Sequence, residues 1–302
     1  MTETNEGAAG PPVGAHGPGT GPAPTGGAGE AEEQRLAEEH RAPTLERFAA
    51  HRAAWARNRA LRALYEDWYE RVRGQLPAPS LGPFVEIGSG PGFAREALPE
   101  LRLSDIVRAP WHDYEIDAAA RLPFAEGALG ALVLFDVLHH LASPVRFFEE
   151  AARVLAPGGR VVLCEPYVSL LSYPIYRWLH EESLSMDVDP FAEVVLSATA
   201  PRDGATPDAA RGKDPFDSNQ AIPTLMFGRA EGRATFARRF PALDVRPVQH
   251  MAGLAYPASG GFSRAPLLPF PLWRGLAALE ARLPSAVFRA IGFRMLVVVE
   301  KR

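Results

Sequence analysis

Ala128 to Leu134 is an almost wholly apolar run, and its pattern predicts a strand buried on both faces of a sheet. Other apolar runs flank it along the chain. Pro83-Phe84-Val85 predicts a first strand, which leads through Glu86 into glycines at 88, 90 and 92. Phe93 to Leu98 follows with a helix-forming composition, so the local reading is strand, tight turn, helix. Leu101 to Ile106 predicts a second strand, Glu115 to Ala118 a third and Arg160 to Tyr167 a fifth. Leu243 to Val248 predicts a sixth strand, and Ile291 to Lys301 holds the last one. Pro144 to Val154 predicts a helix with Phe147, Phe148, Ala151 and Val154 on its apolar face, stopped by the turn Leu155 to Gly159. Val107 to Tyr114 is short and contains Pro110, so the second crossover is expected to be truncated and irregular. Strands and helices alternate from 83 to about 165, which implies a mostly parallel sheet.

Outside that stretch the pattern changes. Residues 1–29 are mostly Gly, Ala, Pro and Thr, and such a segment is expected to be a disordered tail. Residues 30–78 read as an N-terminal helical segment. Glu30 to His40 forms a short helix, Pro43 interrupts it, and a longer helix runs from Thr44 to about Arg73. Its apolar positions include Phe48, Trp55, Leu61, Tyr65, Trp68 and Val72, and its polar side carries Arg52, Arg57, Arg59 and Arg62. That helix either packs on the main domain or forms a lid over a ligand. Residues 79–302 read as the main domain, with an insertion from about 168 to 230 that includes a polar loop from Thr199 to Asp217. Gly260-Gly261-Phe262-Ser263 is a second glycine-rich turn, and Pro271 to Ile291 holds one or two helices broken at Pro284.

Charge and composition exclude some partners. The formal net charge is −4 over 302 residues, so bulk electrostatics does not favour nucleic acid. The single cysteine, Cys164, cannot form an internal disulfide, which suits a cytoplasmic location. No stretch reads as a signal peptide or as an integral membrane segment.

The chemistry is carried by motifs at the strand ends. Glycines at alternate positions after Glu86 differ from the Gly-x-Gly-x-x-Gly spacing of dinucleotide sites. Asp105 lies 19 positions after Glu86, the distance at which an acid binds ribose hydroxyls, its alternative being a solvated loop acid. The glycine turn, Asp117-Ala118 before Leu122-Pro123-Phe124, Asp136 to His140, and the Leu155 to Arg160 turn into the fifth strand come in a characteristic order. Together they resemble the class I S-adenosylmethionine (SAM) dependent methyltransferases, and the type 11 group in particular. The resemblance covers about residues 83–170. It implies a Rossmann-like α/β fold: a mostly parallel seven-stranded sheet, helices on both faces, and an insertion after the fifth strand. It implies SAM as cofactor, held by Glu86, Gly88, Ser89, Gly90, Gly92, Asp105, Ile106, Asp117, Ala118, Phe135 and Asp136.

The implied reaction moves a methyl group from SAM to a small-molecule acceptor by in-line displacement, and positioning supplies much of the catalysis. A base is needed only for an acceptor that arrives protonated. His139, His140 and His180 are its candidates, each with a structural alternative. The insertion is expected to build the acceptor site from Tyr167, Tyr173, Tyr176, His180 and Asn219. His180-Glu181-Glu182 with Asp187, Asp189 and Glu193 matches no compact metal motif, and no metal is expected. Alternatives are a non-catalytic SAM- or nucleotide-binding protein of the same fold, a nucleotide-fold oxidoreductase, and a methyltransferase acting on a macromolecule or a lipid.

Overall fold

The computed structural model describes residues 27–180, 182–195 and 218–302. Residues 1–26, most of the expected tail, lie outside the described residues, as do Glu181 and the polar loop 199–217. Eight strands are paired in one sheet. They are β1 (Phe84–Ile87), β2 (Leu101–Asp105), β3 (Tyr114–Glu115), β4 (Leu129–Phe135), β5 (Leu155–Pro166), β6 (Leu243–Val245), β7 (Gln249–Met251) and β8 (Arg294–Lys301). The order is β3-β2-β1-β4-β5-β8-β6, with the short β7 paired to β8 off this path. The five strands from β3 to β5 run parallel, and β8 enters antiparallel to β5, β6 and β7. The expected sixth strand, Leu243 to Val248, is thus shortened to β6, and β7 is a further strand just beyond it. Pro247, which has no N–H to give to a ladder, stands between the two.

Period-two alternation divides the core into two layers. On one face Val85, Ile87, Leu132, Leu134, Val161, Leu163, Val297 and Val299 pack together. On the other lie Phe84, Ala131, Val133, Phe135, Val162, Cys164, Leu296 and Val298. The first face is covered by α4 (Pro144–Val154), through Phe147, Phe148, Ala151 and Val154, and by Phe236 of α6 (Ala230–Arg239). The second is covered by α2 (Arg59–Arg73), through Leu61, Leu64, Tyr65, Trp68 and Val72, and by Ala94 of the short α3 (Ala94–Ala97). β4 is buried along its whole length, as an apolar strand between two helical layers must be.

Three local expectations are corrected. α1 (Gly27–Arg57) runs straight through Pro43, whose ring costs one backbone hydrogen bond that a helix of 31 residues tolerates. The break falls instead at Asn58, whose extended backbone lets its carboxamide accept the Leu61 N–H at 3.0 Å and cap α2. The turn Pro157-Gly158-Gly159 lies inside β5 as a bulge. Leu129 pairs Leu155 and Ala131 pairs Arg160, so the extra residues are looped out with Gly158 at φ 79°. The connection between β2 and β3 contains no helix, as the short Pro110 segment required. Among the described residues no helix is long and apolar enough to cross a membrane.

Candidate active site

A cleft of about 1860 Å³ opens at the carboxyl ends of the parallel strands, where open α/β sheets bind their ligands. At its floor β1 turns sharply. Gly88 and Gly92 have φ of 66° and 77°. A Cβ on Gly88 would stand 2.5 Å from a Val137 methyl, and one on Gly92 2.5 Å from the Trp111 ring. Only glycine meets both conditions. Gly90 is tied at both ends. Its N–H donates to Asp105 Oδ2 at 2.8 Å, and its carbonyl accepts from Trp111 Nε1 at 2.8 Å. His112 Nδ1 accepts the Ala109 N–H, which leaves its Nε2–H to donate to the same carbonyl at 2.8 Å. The truncated crossover therefore braces the loop with Trp111 and His112 instead of a helix. Burial holds His112 below the ordinary imidazole range, in keeping with that neutral tautomer.

Glu86 lies beneath this loop, 3% exposed, with its Oε2 buried and without a hydrogen-bond partner. Burial raises its carboxyl to about 7. Asp105 is buried, its Oδ1 accepting the Val107 N–H at 3.1 Å. Ile106 beside it is 49% exposed and lines the cleft. Asp117 lines the cleft on the far side and accepts the Ala119 N–H at 2.7 Å, with Ala118 buried next to it. Ser89, Phe135 and Asp136 also line it, whereas Gly92 does not. The cleft thus gathers ten of the eleven residues expected at the cofactor.

At the end of β4, Asp136 adopts φ 61°, an uncommon backbone for a non-glycine residue. Its Oδ1 pairs with Arg294 Nη2 at 2.5 Å, and the Tyr65 hydroxyl lies 3.4 Å from Oδ2. Arg294 is 2% exposed, with its guanidinium 5.1 Å from the Trp68 ring centre and 5.7 Å from that of Tyr256.

His139 is clamped between two carboxylates. Nδ1 is 2.8 Å from Glu165 Oε2 and Nε2 is 3.2 Å from Glu182 Oε2. Burial alone would lower this imidazole, but hydrogen bonds to Glu165 and Glu182 overcome it and hold its pKa at about 10. An imidazolium bonded at both nitrogens has no lone pair for a substrate proton, which is at odds with His139 as a general base. Glu165 is itself fixed, its Oε1 accepting the Val137 and Leu138 N–H groups at 2.8 Å each. His140 is half-buried in the cleft, its Nε2 3.9 Å from Glu182 Oε1. His180 is exposed at the rim, and its Nδ1 accepts the Glu182 N–H at 3.2 Å.

Of the residues expected at the acceptor, Tyr176 and Asn219 line the cleft with His180, and Tyr167 and Tyr173 do not. The Tyr167 hydroxyl donates to the Arg289 carbonyl at 3.0 Å, and Tyr173 is 41% exposed. Tyr176 donates to the Phe293 carbonyl at 2.6 Å. Asn219 Oδ1 accepts the Ser185 and Ala221 N–H groups, its Nδ2 donates to the Ser185 carbonyl, and its backbone N–H donates to the His139 carbonyl at 2.9 Å. It therefore ties the insertion to the end of β4. The insertion also supplies α5 (Ser172–Trp178), which carries Tyr176.

Further lining residues come from elements that sequence reasoning treated as packing or left open. α1 and α2 contribute Phe48, His51, Tyr65 and Tyr69, so the N-terminal helices both pack and cover the cleft. The second glycine turn closes against them. The Phe262 ring stacks on His51 at 4.5 Å and on Phe93 at 5.7 Å, and Asn58 Nδ2 donates to the Ser259 carbonyl at 2.8 Å. Glu165 and Arg294 were also missed. Their signal was a charge at the end of an apolar run, Val161 to Cys164 before Glu165 and Met295 to Val299 after Arg294.

Residues 85–163 match a family model described as a methyltransferase domain. Over 120 residues the chain is 29% identical to the demethylmenaquinone methyltransferase of Streptomyces griseus, covering 40% of this chain and 51% of that one. It is 35% identical over 79 residues to the enzyme of the same name from Mycobacterium sp. strain KMS, 26% of this chain and 34% of that one. The chain thus spans about half or less of the length of these relatives. The solved geranyl diphosphate C-methyltransferase of Streptomyces coelicolor aligns at TM-score 0.40 and 14% identity, over 80% of this chain and 81% of that one. The match to the methyltransferase domain is thus confined to residues 85–163, the segment from β1 into β5 around which the sheet is built.

Proposed function

We propose that this protein transfers a methyl group from SAM to a small-molecule acceptor held in the same cleft. The observation that carries the reading is the unpartnered, buried Glu86 Oε2 beneath the glycine loop. A buried carboxylate oxygen without a partner is costly, and a ligand ammonium such as the amino-acid end of SAM offsets that cost. The donor set fits the rest of the cofactor. Asp105 keeps unused lone pairs for a ribose diol, Ile106 offers an apolar surface, and Asp117 an acceptor for an exocyclic amine.

When bound, SAM supplies an electrophilic methyl group. The chain's residues then have to orient the donor, seat the acceptor and exclude water. Glu86, Gly90 and Asp105 fix the donor end. α1, α2 and the Phe262 turn roof the cleft with aromatic rings, and the insertion walls the other side. His140 and Glu182, next to the insertion, mark where an acceptor hydroxyl would lose its proton. A small molecule is favoured by this enclosure and by the relatives, whose names give demethylmenaquinone as their substrate.

The experiment is transfer of labelled methyl from SAM to a small-molecule extract of the producing cells. Label appearing in a low-molecular-weight product, and not without protein, supports the reading. Label only in protein, RNA or nothing at all would contradict it.

A further inference from the structure

At the corner of the cleft three metal-ligating side chains converge. Ligand atoms of His139, His140 and Glu182 all lie within 4.8 Å of one another. His139 Nε2 is 3.2 Å from Glu182 Oε2, and His140 Nε2 is 3.9 Å from Glu182 Oε1. Donors around a tetrahedral zinc ion stand roughly 3.3 Å apart, given bond lengths near 2.0 Å. Small side-chain rotations therefore suffice to close the three on one ion.

Two further observations point to a ligand there. His139 is oriented from behind, because Nδ1 is held by Glu165, which is fully buried and locked by two backbone N–H groups. That is the carboxylate–histidine arrangement by which metal sites aim an imidazole and fix its tautomer. In addition, the Gln220 carboxamide sits on Glu182 and is 3% exposed, with its Oε1 buried and without a partner. Its Nε2 faces Glu182, so a turn about the terminal torsion would present the amide oxygen as a fourth donor.

We propose that His139 Nε2, His140 and Glu182 bind one borderline divalent ion such as Zn2+, with Gln220 beside it. The proposal rests on the methyltransferase reading and deepens it. Two imidazoles and one carboxylate are the donors of catalytic sites that keep a position open. The ion displaces to solvent the proton that His139 and Glu182 share, so His139 is neutral as a ligand. The open position faces the cleft. An acceptor hydroxyl coordinated there becomes more acidic and is held in place as an alkoxide or phenolate nucleophile, its proton leaving to water. The acceptor class follows: an alcohol or phenol, methylated at oxygen.

The test is calorimetric titration of the full chain with ZnCl2, and separately with MgCl2, alongside titration of the same samples with S-adenosylhomocysteine. Wild type is expected to bind one Zn2+ with a dissociation constant on the order of 1 μM or tighter, and Mg2+ far more weakly. His140→Ala and Glu182→Gln are each expected to weaken Zn2+ at least about tenfold, while S-adenosylhomocysteine affinity changes less than about twofold. Circular dichroism confirms that both variants fold. Absence of stoichiometric Zn2+ binding, Mg2+ binding equally well, or variants that leave Zn2+ affinity unchanged would each overturn the proposal. If Zn2+ binds as expected and S-adenosylhomocysteine does not, the metal site stands and the cofactor reading fails. The reverse pattern refutes the metal site alone.

Discussion

Glu86 concentrates the chemistry of the donor end in one side chain. A carboxyl raised to about 7 holds, in the folded state, a proton that the unfolded chain releases near its ordinary 4.5. Stability therefore falls as pH rises from about 4.5 to about 7, by on the order of 3 kcal/mol, and levels off above that window. A ligand ammonium favours the ionised form, so binding and deprotonation are coupled. S-adenosylhomocysteine is predicted to bind about tenfold more weakly at pH 6 than at pH 8, and Glu86→Gln should abolish that dependence. Titration calorimetry at the two pH values checks it. An affinity independent of pH in wild type would remove Glu86 from the ammonium site.

At the scale of elements, the join between α1 and α2 decides how the cleft is roofed. Asn58 caps α2 through Leu61 and binds the carbonyls of Ser259 and Gly261 with the same side chain. Asn58→Ala should cost about 2 kcal/mol, for a lost cap and buried carbonyls left unpaired. A shift in the urea midpoint at unchanged slope measures it, and no shift would mean that the turn docks without this contact. The glycine loop, Asp105 and the ends of β1, β2 and β4 were legible in the sequence. Each is local, carried by a short motif at the end of one strand. Tyr65, Tyr69 and Arg294 were not. They reach the cleft from α2 and β8, elements whose pattern reads equally well as packing, and on α2 the same rings do both. The break at Asn58 was hidden for a different reason. Pro43 is the louder breaker in the sequence, yet a capping side chain with a tertiary partner fixes the boundary.

For the whole molecule, the strand order and the reversed β8 set the architecture, and the carboxyl edge sets where the ligand lies. Much of the cleft lining comes from α1, α2, the insertion and the Phe262 turn, all outside the segment matched by the family model. The proposed donor contacts can therefore be tested without knowing the acceptor. The most direct measurement is calorimetric titration of the full chain with S-adenosylhomocysteine and, in parallel, with NAD+. Saturable one-to-one binding of S-adenosylhomocysteine, at least about tenfold tighter than NAD+, is the predicted result. Tighter binding of NAD+, or no binding of S-adenosylhomocysteine by the folded protein, would contradict it.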